Sequence, residues 1–329
     1  MKEEELINLF NRFNKKRVLI VGDSMIDAYM WGHIERMSPE APVPVVQIDK
    51  HENRLGGAAN VARNIRSLGA DTVLCTVIGD DKKSLIFDEL LRNEGITNKG
   101  VFISKKRRTT LKTRIISDDK HQIRVDEEDI FNIKEEKEFI NLVNKLMIDC
   151  IDVIILQDYN KGVLTRNIIK TIVKKAKEKN IPVIVDPKEE NYDAFTGCDT
   201  MKPNLNELKK GMNLQFNDDL NEIQSAAIKL KNKLNLKSVL LTLSEKGICI
   251  QYKDSFKHYP AFENNIVDVS GAGDTVISVA ALCLACKVNY SNLAILSNLA
   301  GGIVCRDVGV VPINKNLFLE KSLELKINN

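Results

Sequence analysis

The sequence is poor in the residues and segments that zinc centres and membrane proteins require. Its four histidines lie far apart, without the spacing of zinc ligands or of a Ser-His-Asp site. No apolar run reaches the length of a membrane span, and the charged Met1 end lacks the apolar segment of a signal peptide. Lysine and arginine total 48 against 45 acidic residues, so no charge excess points to nucleic acid or to a membrane surface. We expect a cytoplasmic protein with neither partner.

Redox and glycine-rich motifs are also scarce. The seven cysteines are scattered, and only Cys283 and Cys286 form a C-x-x-C, inside the apolar stretch "VISVAALCLACKV". That setting favours buried, reduced cysteines over a metal or redox site. The chain has no G-x-x-x-x-G-K-[ST], and no G-x-G-x-x-G follows its first apolar run. These absences disfavour a P-loop and a dinucleotide-binding enzyme.

What the 329 residues do contain is a regular alternation of short apolar runs and helical patterns. The runs "KRVLIVGDSMID", "DTVLCTVIGDD", "DVIILQDY", "IPVIVDP" and "KSVLLTLS" alternate with amphipathic segments. This alternation predicts an α/β fold, with a mainly parallel central sheet covered by helices on both faces. Strands near 40–52 and 105–126 are proline-rich or alternate in polarity, and they predict a small separate β-sheet that acts as a lid. We expect one domain over residues 1–329.

Polar residues collect where the predicted parallel strands end. The ends read "GDSMID", "QDYNKG", "VDPK", "KPNLNE" and "LTLSEKG". Ligands of open α/β sheets bind beyond the carboxyl ends of the strands. Aspartate, asparagine, glutamate and lysine suit polyhydroxyl substrates, phosphates and Mg²⁺, which prefers oxygen ligands. The sequence therefore predicts a site for such ligands at this edge.

One stretch, "DVSGAGDT" (268–275), places two glycines before an apolar helix. Gly271 and Gly273 let backbone N–H groups approach an anion, and the helix start adds free donors and a positive dipole end. Asp274 is counterproductive for anion binding alone, but in phosphoryl transfer it can accept the proton of an attacking hydroxyl. The same aspartate could simply cap the helix near Thr275. The stretch by itself leaves both interpretations open.

Two stretches together resemble a known family. "DVSGAGDT" is similar to the C-terminal signature of the ribokinase (PfkB-type) carbohydrate kinases, and "GGAANVARN" (56–64) is similar to their N-terminal signature. They stand in the expected order, with "KPNLNE" between them. The resemblance implies a ribokinase-like α/β fold with a lid, and a kinase that uses ATP and Mg²⁺.

Further stretches resemble the members of this family that act on a heptose phosphate. They are "VGDSMIDAYMWGHIERMSPEAPVPVV", "QDYNKGVL" and "VDPK", and the resemblance extends over about residues 17–313. It implies phosphorylation of D-glycero-β-D-manno-heptose 7-phosphate at the C1 hydroxyl, which supplies ADP-heptose for the lipopolysaccharide core. Many relatives carry a fused adenylyltransferase domain. We find no H-x-G-H-type motif of that domain, and we expect a stand-alone kinase.

The family resemblance also implies roles for individual residues. Asp274 would be the catalytic base, and the N–H groups of Gly271, Ala272 and Gly273 would form the anion hole. Substrate-binding residues would be Asp23 or Asp27, Gly56, Gly57, Asn60, Arg63, Asp158 and Lys161. The nucleotide would be bound by Lys188, Asn204, Glu207, Thr242, Ser244 and Gly247, with Asn204 and Glu207 also positioning Mg²⁺. The alternatives are that Gly56 and Gly57 serve only close packing, and that Asn204 and Glu207 form a helix capping box.

The far phosphate of such a substrate needs cations, and among the candidates Arg63 and Lys161 are favoured because they lie within the motif segments. The candidates are Arg36, Arg54, Arg63, Lys112, Arg114, Arg124 and Lys161, since arginine offers bidentate donors and lysine a point charge. Ala28 stands where several of these kinases carry a larger polar residue. Related kinases often pair their lids, so we expect a homodimer formed through the lid.

Two other functions stay open at this stage. The first is a kinase of the same family that acts on another sugar or sugar phosphate, which a substrate panel would reveal. The second is a sugar-phosphate sensor without catalysis, which would bind its ligand in calorimetry and release no ADP. The intact Asp274, Asn204 and Glu207 argue against the sensor.

Overall fold

The computed structural model of the protein describes residues 1–118, 120–148, 150–262 and 266–325. Its strands, in chain order, are β1 (Arg17–Gly22), β2 (Ser24–Met37), β3 (Pro44–Gly57), β4 (Asp71–Gly79), β5 (Val101–Ser104), β6 (Leu111–Ser117), β7 (Lys120–Glu127), β8 (Val153–Gln157), β9 (Val183–Asp186), β10 (Thr200–Met201), β11 (Ser238–Thr242), β12 (Ile248–Tyr252) and β13 (Ser255–Tyr259).

The main sheet has nine strands in the order β13-β12-β11-β10-β9-β8-β1-β4-β5. Seven neighbouring strands of this sheet, β11, β10, β9, β8, β1, β4 and β5, are parallel. The hairpin β12–β13 adds an antiparallel edge next to β11. Alternate residues of β1 enter opposite cores: Val18 and Ile20 pack on one face, Leu19 and Val21 on the other. The predicted parallel sheet with helices on both faces is confirmed.

Helices cover both faces of this sheet. In chain order they are α1 (Glu3–Phe13), α2 (Ala58–Ser67), α3 (Lys82–Asn93), α4 (Glu136–Leu146), α5 (Arg166–Glu178), α6 (Leu205–Met212), α7 (Leu220–Lys233), α8 (Ala272–Ala285), α9 (Tyr290–Val304) and α10 (Lys315–Glu324), with short 3₁₀ turns at Glu189–Phe195 and Ser244–Lys246. One core contains residues of α1, α2, α3, α8, α9 and α10, and the other contains residues of α4, α5, α6 and α7. Within the described ranges, no helix is long and apolar enough to cross a bilayer.

A second, four-stranded sheet with the order β3-β2-β6-β7 forms the lid. The prediction of a small separate sheet is confirmed, but one of its strands was missed. We predicted one strand over "KRVLIVGDSMID", whereas the chain leaves the main sheet at Asp23 and continues as β2 in the lid. Gly22 and Asp23 do mark the end of β1, but the apolar residues that follow them carry no signal that the chain enters a second sheet there. Residue 119, inside the predicted lid segment 105–126, lies outside the described residues.

Candidate active site

Asp274 lies in the first turn of α8, and its side chain is surrounded by hydrogen-bond donors. Asn60 Nδ2 donates to Oδ2 at 2.8 Å, while Gln157 Nε2 and the Tyr159 hydroxyl donate to Oδ1 at 3.1 and 2.8 Å. The residue is only 4% exposed. The first glycine motif and "DVSGAGDT", which are distant in sequence, therefore meet at this carboxylate.

The electrostatic setting of Asp274 suits a group that exchanges protons near neutral pH. Burial raises the pKa of Asp274 to about 7, although the hydrogen bonds from Asn60 and Tyr159 act to lower it. Nearby, the negative charge of Asp186 opposes ionisation and the Lys202 ammonium favours it. A general base works best when its pKa is close to the working pH.

The turn before α8 is built by glycine and by a second aspartate. Gly271 is the N-cap residue with φ +80°, a left-handed conformation that favours glycine. Asp268 Oδ1 accepts from the N–H of Ser270 at 2.9 Å, and its Oδ2 accepts from the N–H of Gly309 at 2.8 Å. Asp268 therefore fixes the turn that brings the N–H groups of the first helical residues to the sheet edge.

A buried chain of polar groups, which the sequence did not single out, extends from Asp274 into the main sheet. Gln157 Nε2 also donates to Asp186 Oδ2 at 3.0 Å, and Lys202 Nζ lies 2.9 Å from Asp186 Oδ1. A Cβ on Gly273 would lie 3.6 Å from Lys202 Nζ, so a cation stands directly beside the start of α8. These residues come from the ends of β8, β9 and β10, where one polar residue is indistinguishable from another in the sequence.

A cavity of about 380 Å³ opens next to this chain. All six predicted nucleotide-binding residues line it: Lys188, Asn204, Glu207, Thr242, Ser244 and Gly247. Gly273 and Tyr159 line the same cavity, so it reaches the Asp274 region. Apolar side chains including Phe262, Ile266 and Val276, together with Gly301 and Gly302 of α9, complete its wall.

Asn204 and Glu207 form the capping box of α6, which is the alternative to a metal role that their spacing allows. Asn204 Oδ1 accepts from the N–H of Glu207, and Glu207 Oε2 accepts from the N–H of Asn204, both at 2.8 Å. Glu207 Oε1 also accepts from Lys188 Nζ. Carboxylate and amide oxygens suit a hard cation such as Mg²⁺, and Asn204 and Glu207 both line the cavity.

The two aspartates proposed for the sugar have different partners. Asp23 accepts three backbone N–H groups, those of Tyr159, Lys161 and Val163, at 2.8 to 3.1 Å. It therefore orders the loop after β8. Asp27 instead pairs with the Arg114 guanidinium, and it is the aspartate that has a side-chain partner in the lid.

The two glycines of the first motif lie against these aspartates. A Cβ on Gly56 would come within 2.2 Å of Asp27 Oδ2, and one on Gly57 within 2.5 Å of the Asp23 carbonyl oxygen. Gly57 also has φ +60° as the N-cap residue of α2. Both positions therefore need glycine because neighbouring atoms lie too close for a Cβ. This agrees with the alternative that Gly56 and Gly57 serve close packing.

Asp158, predicted to bind substrate, lines the cavity beside Tyr159. Its carboxylate accepts from the N–H of Asn160 at 2.9 Å and from Asn191 Nδ2 at 3.3 Å. Burial, reinforced by the negative charge of Asp23, raises the pKa of Asp158 to about 7. This side chain thus lies where the cavity meets the loop that Asp23 orders.

The candidate cations for the far phosphate separate into two groups. Lys112 contacts Asp126 and Glu128 at 2.8 and 2.9 Å, and Lys161 contacts Glu128 at 2.6 Å. Lys112 of the lid and Lys161 of the loop after β8 are therefore joined through Glu128, while Arg114 forms its own ion pair with Asp27.

The remaining candidates have other surroundings. Arg54 donates to the carbonyl oxygens of Val308 and Val310, at 3.2 and 3.1 Å. Arg63 pairs with Glu94 at 2.6 Å, and none of its described contacts is with a residue that touches Asp274. Arg36 is exposed on the lid, and so is Arg124, whose Nε lies 3.0 Å from Asp126 Oδ1.

Comparison with known proteins agrees with this geometry. The sequence profile of the "pfkB family carbohydrate kinase" matches residues 15–316. The bifunctional protein HldE of Campylobacter jejuni strain RM1221 is 38% identical over 318 residues, which are 96% of this chain and 67% of that protein. HldE of Helicobacter pylori strain J99 is 38% identical over 296 residues, or 89% and 64% of the two chains. The chain thus spans about two thirds of the length of these relatives.

Solved structures share the fold at low sequence identity. Escherichia coli phosphofructokinase-2 in complex with fructose-6-phosphate superposes with a TM-score of 0.77 at 18% identity, covering 94% of this chain and 98% of that one. Arabidopsis thaliana ribokinase complexed with ribose and ATP gives a TM-score of 0.70 at 18% identity, covering 93% and 98%. The fold is therefore ribokinase-like. Together with the family profile, this shows that the chain belongs to the pfkB family of carbohydrate kinases.

Proposed function

We propose that this kinase transfers the γ-phosphoryl group of ATP to the C1 hydroxyl of D-glycero-β-D-manno-heptose 7-phosphate, forming the 1,7-bisphosphate. The observation that carries the proposal is the position of Asp274, a buried and hydrogen-bonded carboxylate next to Gly273, which lines the cavity together with Lys188. The heptose itself is supported by the resemblance of "SPEAPVPVV" and "QDYNKGVL" to heptose-phosphate kinases and by the identity to HldE proteins.

The chemical step needs a base and an anion site on opposite sides of one oxygen. Asp274 takes the proton of the C1 hydroxyl as that oxygen forms a bond to the γ-phosphorus, and the bond from phosphorus to the β–γ bridging oxygen breaks. The N–H groups at the start of α8 and the Lys202 ammonium stabilise the charge on the phosphoryl group in transit. ADP leaves with the electron pair of the broken bond.

The nucleotide would lie in the cavity beside Lys188, with its phosphates toward Gly273. Mg²⁺, when bound, neutralises charge on those phosphates, and Asn204 and Glu207 are the residues of this chain that would hold it. Lys188 would then exchange its contact with Glu207 for a phosphate oxygen, because a lysine ammonium serves as a movable point charge.

The far phosphate of the sugar fits the set of ion pairs formed by Lys112, Arg114 and Lys161. In the absence of substrate, these three cations are balanced by Asp27, Asp126 and Glu128. A phosphate dianion can accept from several of them at once. We therefore propose these three, rather than Arg36, Arg54, Arg63 or Arg124, as the phosphate-binding cations.

A substrate panel tests the proposal. The rate of ADP release would be measured with D-glycero-β-D-manno-heptose 7-phosphate, the same heptose without its phosphate, ribose, fructose 6-phosphate and tagatose 6-phosphate. The phosphorylated heptose should give the highest kcat/KM, and ³¹P NMR should show a new phosphate on the anomeric carbon. Omission of Mg²⁺ should abolish turnover.

A higher kcat/KM for ribose or for either hexose phosphate would contradict the heptose assignment. It would leave a kinase of the same family with another sugar substrate, which is the alternative that the family membership permits. Equal rates for the heptose with and without its 7-phosphate would instead contradict the role given to Lys112, Arg114 and Lys161.

The lid also carries the surface that we propose for a homodimer. Apolar side chains are exposed on it at Met37, Val43, Ile48, Ile123 and Val125, and β3 and β7 are its edge strands. Exposed apolar edges of this kind are covered in most proteins. Sedimentation should give a dimer that Ile123→Glu dissociates. A wild-type protein that sediments as a monomer would contradict the proposed dimer.

A further inference from the structure

The two carboxylate oxygens of Asp274 have different surroundings. Oδ1 accepts from both Gln157 Nε2 and the Tyr159 hydroxyl, whereas Oδ2 accepts from Asn60 Nδ2. A carboxylate oxygen offers about two lone-pair directions. With these described partners, Oδ1 has both directions in use, and Oδ2 keeps one for an incoming hydroxyl.

Tyr159 is held in place from its own backbone. Its N–H donates to Asp23 Oδ2 at 2.8 Å, and the N–H groups of Lys161 and Val163 bind the same carboxylate. Asp23 is itself buried. The loop that carries the phenol is thus anchored at the end of β1, and this fixes the backbone from which the Tyr159 side chain extends to Asp274.

The Tyr159 hydroxyl acts only as a donor toward an ionised Asp274. Burial raises the pKa of Tyr159 well above its ordinary value, and the negative charges of Asp274 and Asp186 add to that effect. The phenol therefore keeps its proton over the working range of the enzyme. Nothing in this arrangement lets Tyr159 serve as a base.

We infer that Tyr159 is a positioning residue that, with Gln157, occupies Oδ1 of Asp274 and leaves Oδ2 as the oxygen that takes the sugar hydroxyl's proton. The inference rests on the proposed role of Asp274 as the base. It assigns a function to the tyrosine of "QDYNKG", which the sequence did not distinguish from an ordinary strand-end residue.

The groups that face Asp274 come from four elements. Asn60 approaches from α2, Gln157 and Tyr159 from the end of β8, Asp186 from β9, and Lys202 from the segment after β10. Tyr159→Phe removes one hydroxyl from this set and changes no formal charge. It also keeps the ring that Lys188 Nζ approaches to 5.7 Å.

The test is the pH dependence of kcat/KM for Tyr159→Phe with the best sugar of the substrate panel. The hydrogen bond from Tyr159 stabilises the ionised form of Asp274, so its loss raises the pKa of Asp274. The acidic limb of the profile should therefore shift upward by about one pH unit. Activity below that limb should fall roughly tenfold, with a smaller loss on the alkaline plateau.

Tyr290→Phe is the matched control. Tyr290 is a half-buried tyrosine that stacks on Tyr252, which pairs with Ser238 at the start of β11, at the opposite end of the sheet from Asp274. It should leave the acidic limb in place. Circular dichroism would verify that each variant folds, and Gln157→Met, which removes the other donor to Oδ1, should shift the limb in the same direction if Tyr159→Phe fails to fold.

Asp274→Asn, measured in parallel, separates this inference from the proposed function. If Asp274→Asn keeps its activity, then Asp274 is not the base and both claims fail. If Asp274→Asn is inactive but the acidic limb of the folded Tyr159→Phe or Gln157→Met variant coincides with that of the wild type, only the positioning role is overturned.

Discussion

At the scale of single residues, Asp274, the proposed base, carries a cost in stability. Its carboxylate is buried among neutral donors, and burial raises its pKa to about 7. A neutral side chain of the same shape would lie there with less penalty, because removing a charge from water is unfavourable. Residues of this type are common at active sites, where function opposes stability.

This cost should appear in the pH dependence of unfolding. The folded state keeps the Asp274 proton up to about pH 7, whereas the ordinary pKa is 3.8. In that window the folded state binds more protons, so the wild type loses stability as the pH rises. The free energy of unfolding of Asp274→Asn relative to the wild type should increase between pH 4 and pH 8, by on the order of 4 kcal/mol at most.

Urea unfolding at several pH values would measure this difference. Asp254→Asn is the control, since Asp254 is exposed in the turn between β12 and β13. Its stability relative to the wild type should stay nearly constant with pH. A constant difference for Asp274→Asn as well would show that Asp274 titrates in the folded protein as it does in the unfolded chain.

At the level of residues, the sequence identifies the positions within the motifs but not the neighbouring polar residues that hydrogen-bond to them. Asp274 and Asn60 stand in recognisable glycine-rich stretches, and they do meet. Gln157, Asp186 and Lys202 were not singled out, because their importance comes only from the packing of three strand ends. The choice between Asp23 and Asp27 was likewise open, since only the structure reveals that backbone N–H groups occupy Asp23.

At the scale of elements, the start of α8 depends on a glycine that cannot be replaced without strain. Gly271 has φ +80°, and a Cβ there would lie 3.2 Å from both Asn60 Nδ2 and Val310 Cγ1. The left-handed conformation costs a non-glycine residue about 1–2 kcal/mol. The crowding would also displace Asn60 from Asp274.

Gly271→Ala should therefore lower both stability and activity. We expect a loss of about 1–2 kcal/mol in the free energy of unfolding and roughly a tenfold loss in kcat/KM. Gly197→Ala is the control, because Gly197 has φ +86° but its nearest neighbours would be 3.9 Å away. It should lose comparable stability and no activity. Equal kcat/KM for the two variants would contradict the proposed crowding of Asn60.

The lid is connected to this same turn. Arg54 of β3 binds the carbonyl oxygens of Val308 and Val310, and Tyr29 of β2 accepts from the N–H of Val310 at 3.1 Å. The N–H of Gly309 in turn donates to Asp268. The lid strands and the turn before α8 therefore share one short segment, which could not be predicted from the sequence because it lies more than 250 residues from Arg54.

At the scale of the whole molecule, the alternation of apolar runs and helices was enough to predict the main sheet. Parallel strands are buried on both faces, so each reads as a continuous apolar run, and β1 illustrates this with its burial. Several elements were not predicted: α1 and α10 pack on a core that other elements define, β5 is a short edge strand, and the two-residue β10 lies inside the sheet between β9 and β11. Their amphipathic or short patterns carry no information about where they dock.

The most direct test of the account is the turnover of Asp274→Asn. The variant keeps the volume of the side chain, and in steady-state ADP release with saturating ATP and the best sugar of the panel, kcat should fall by about 10²-fold or more. The KM for the sugar should change little, because the proton transfer matters only in the transition state. A kcat close to that of the wild type would contradict Asp274 as the base, and with it the central claim about this site.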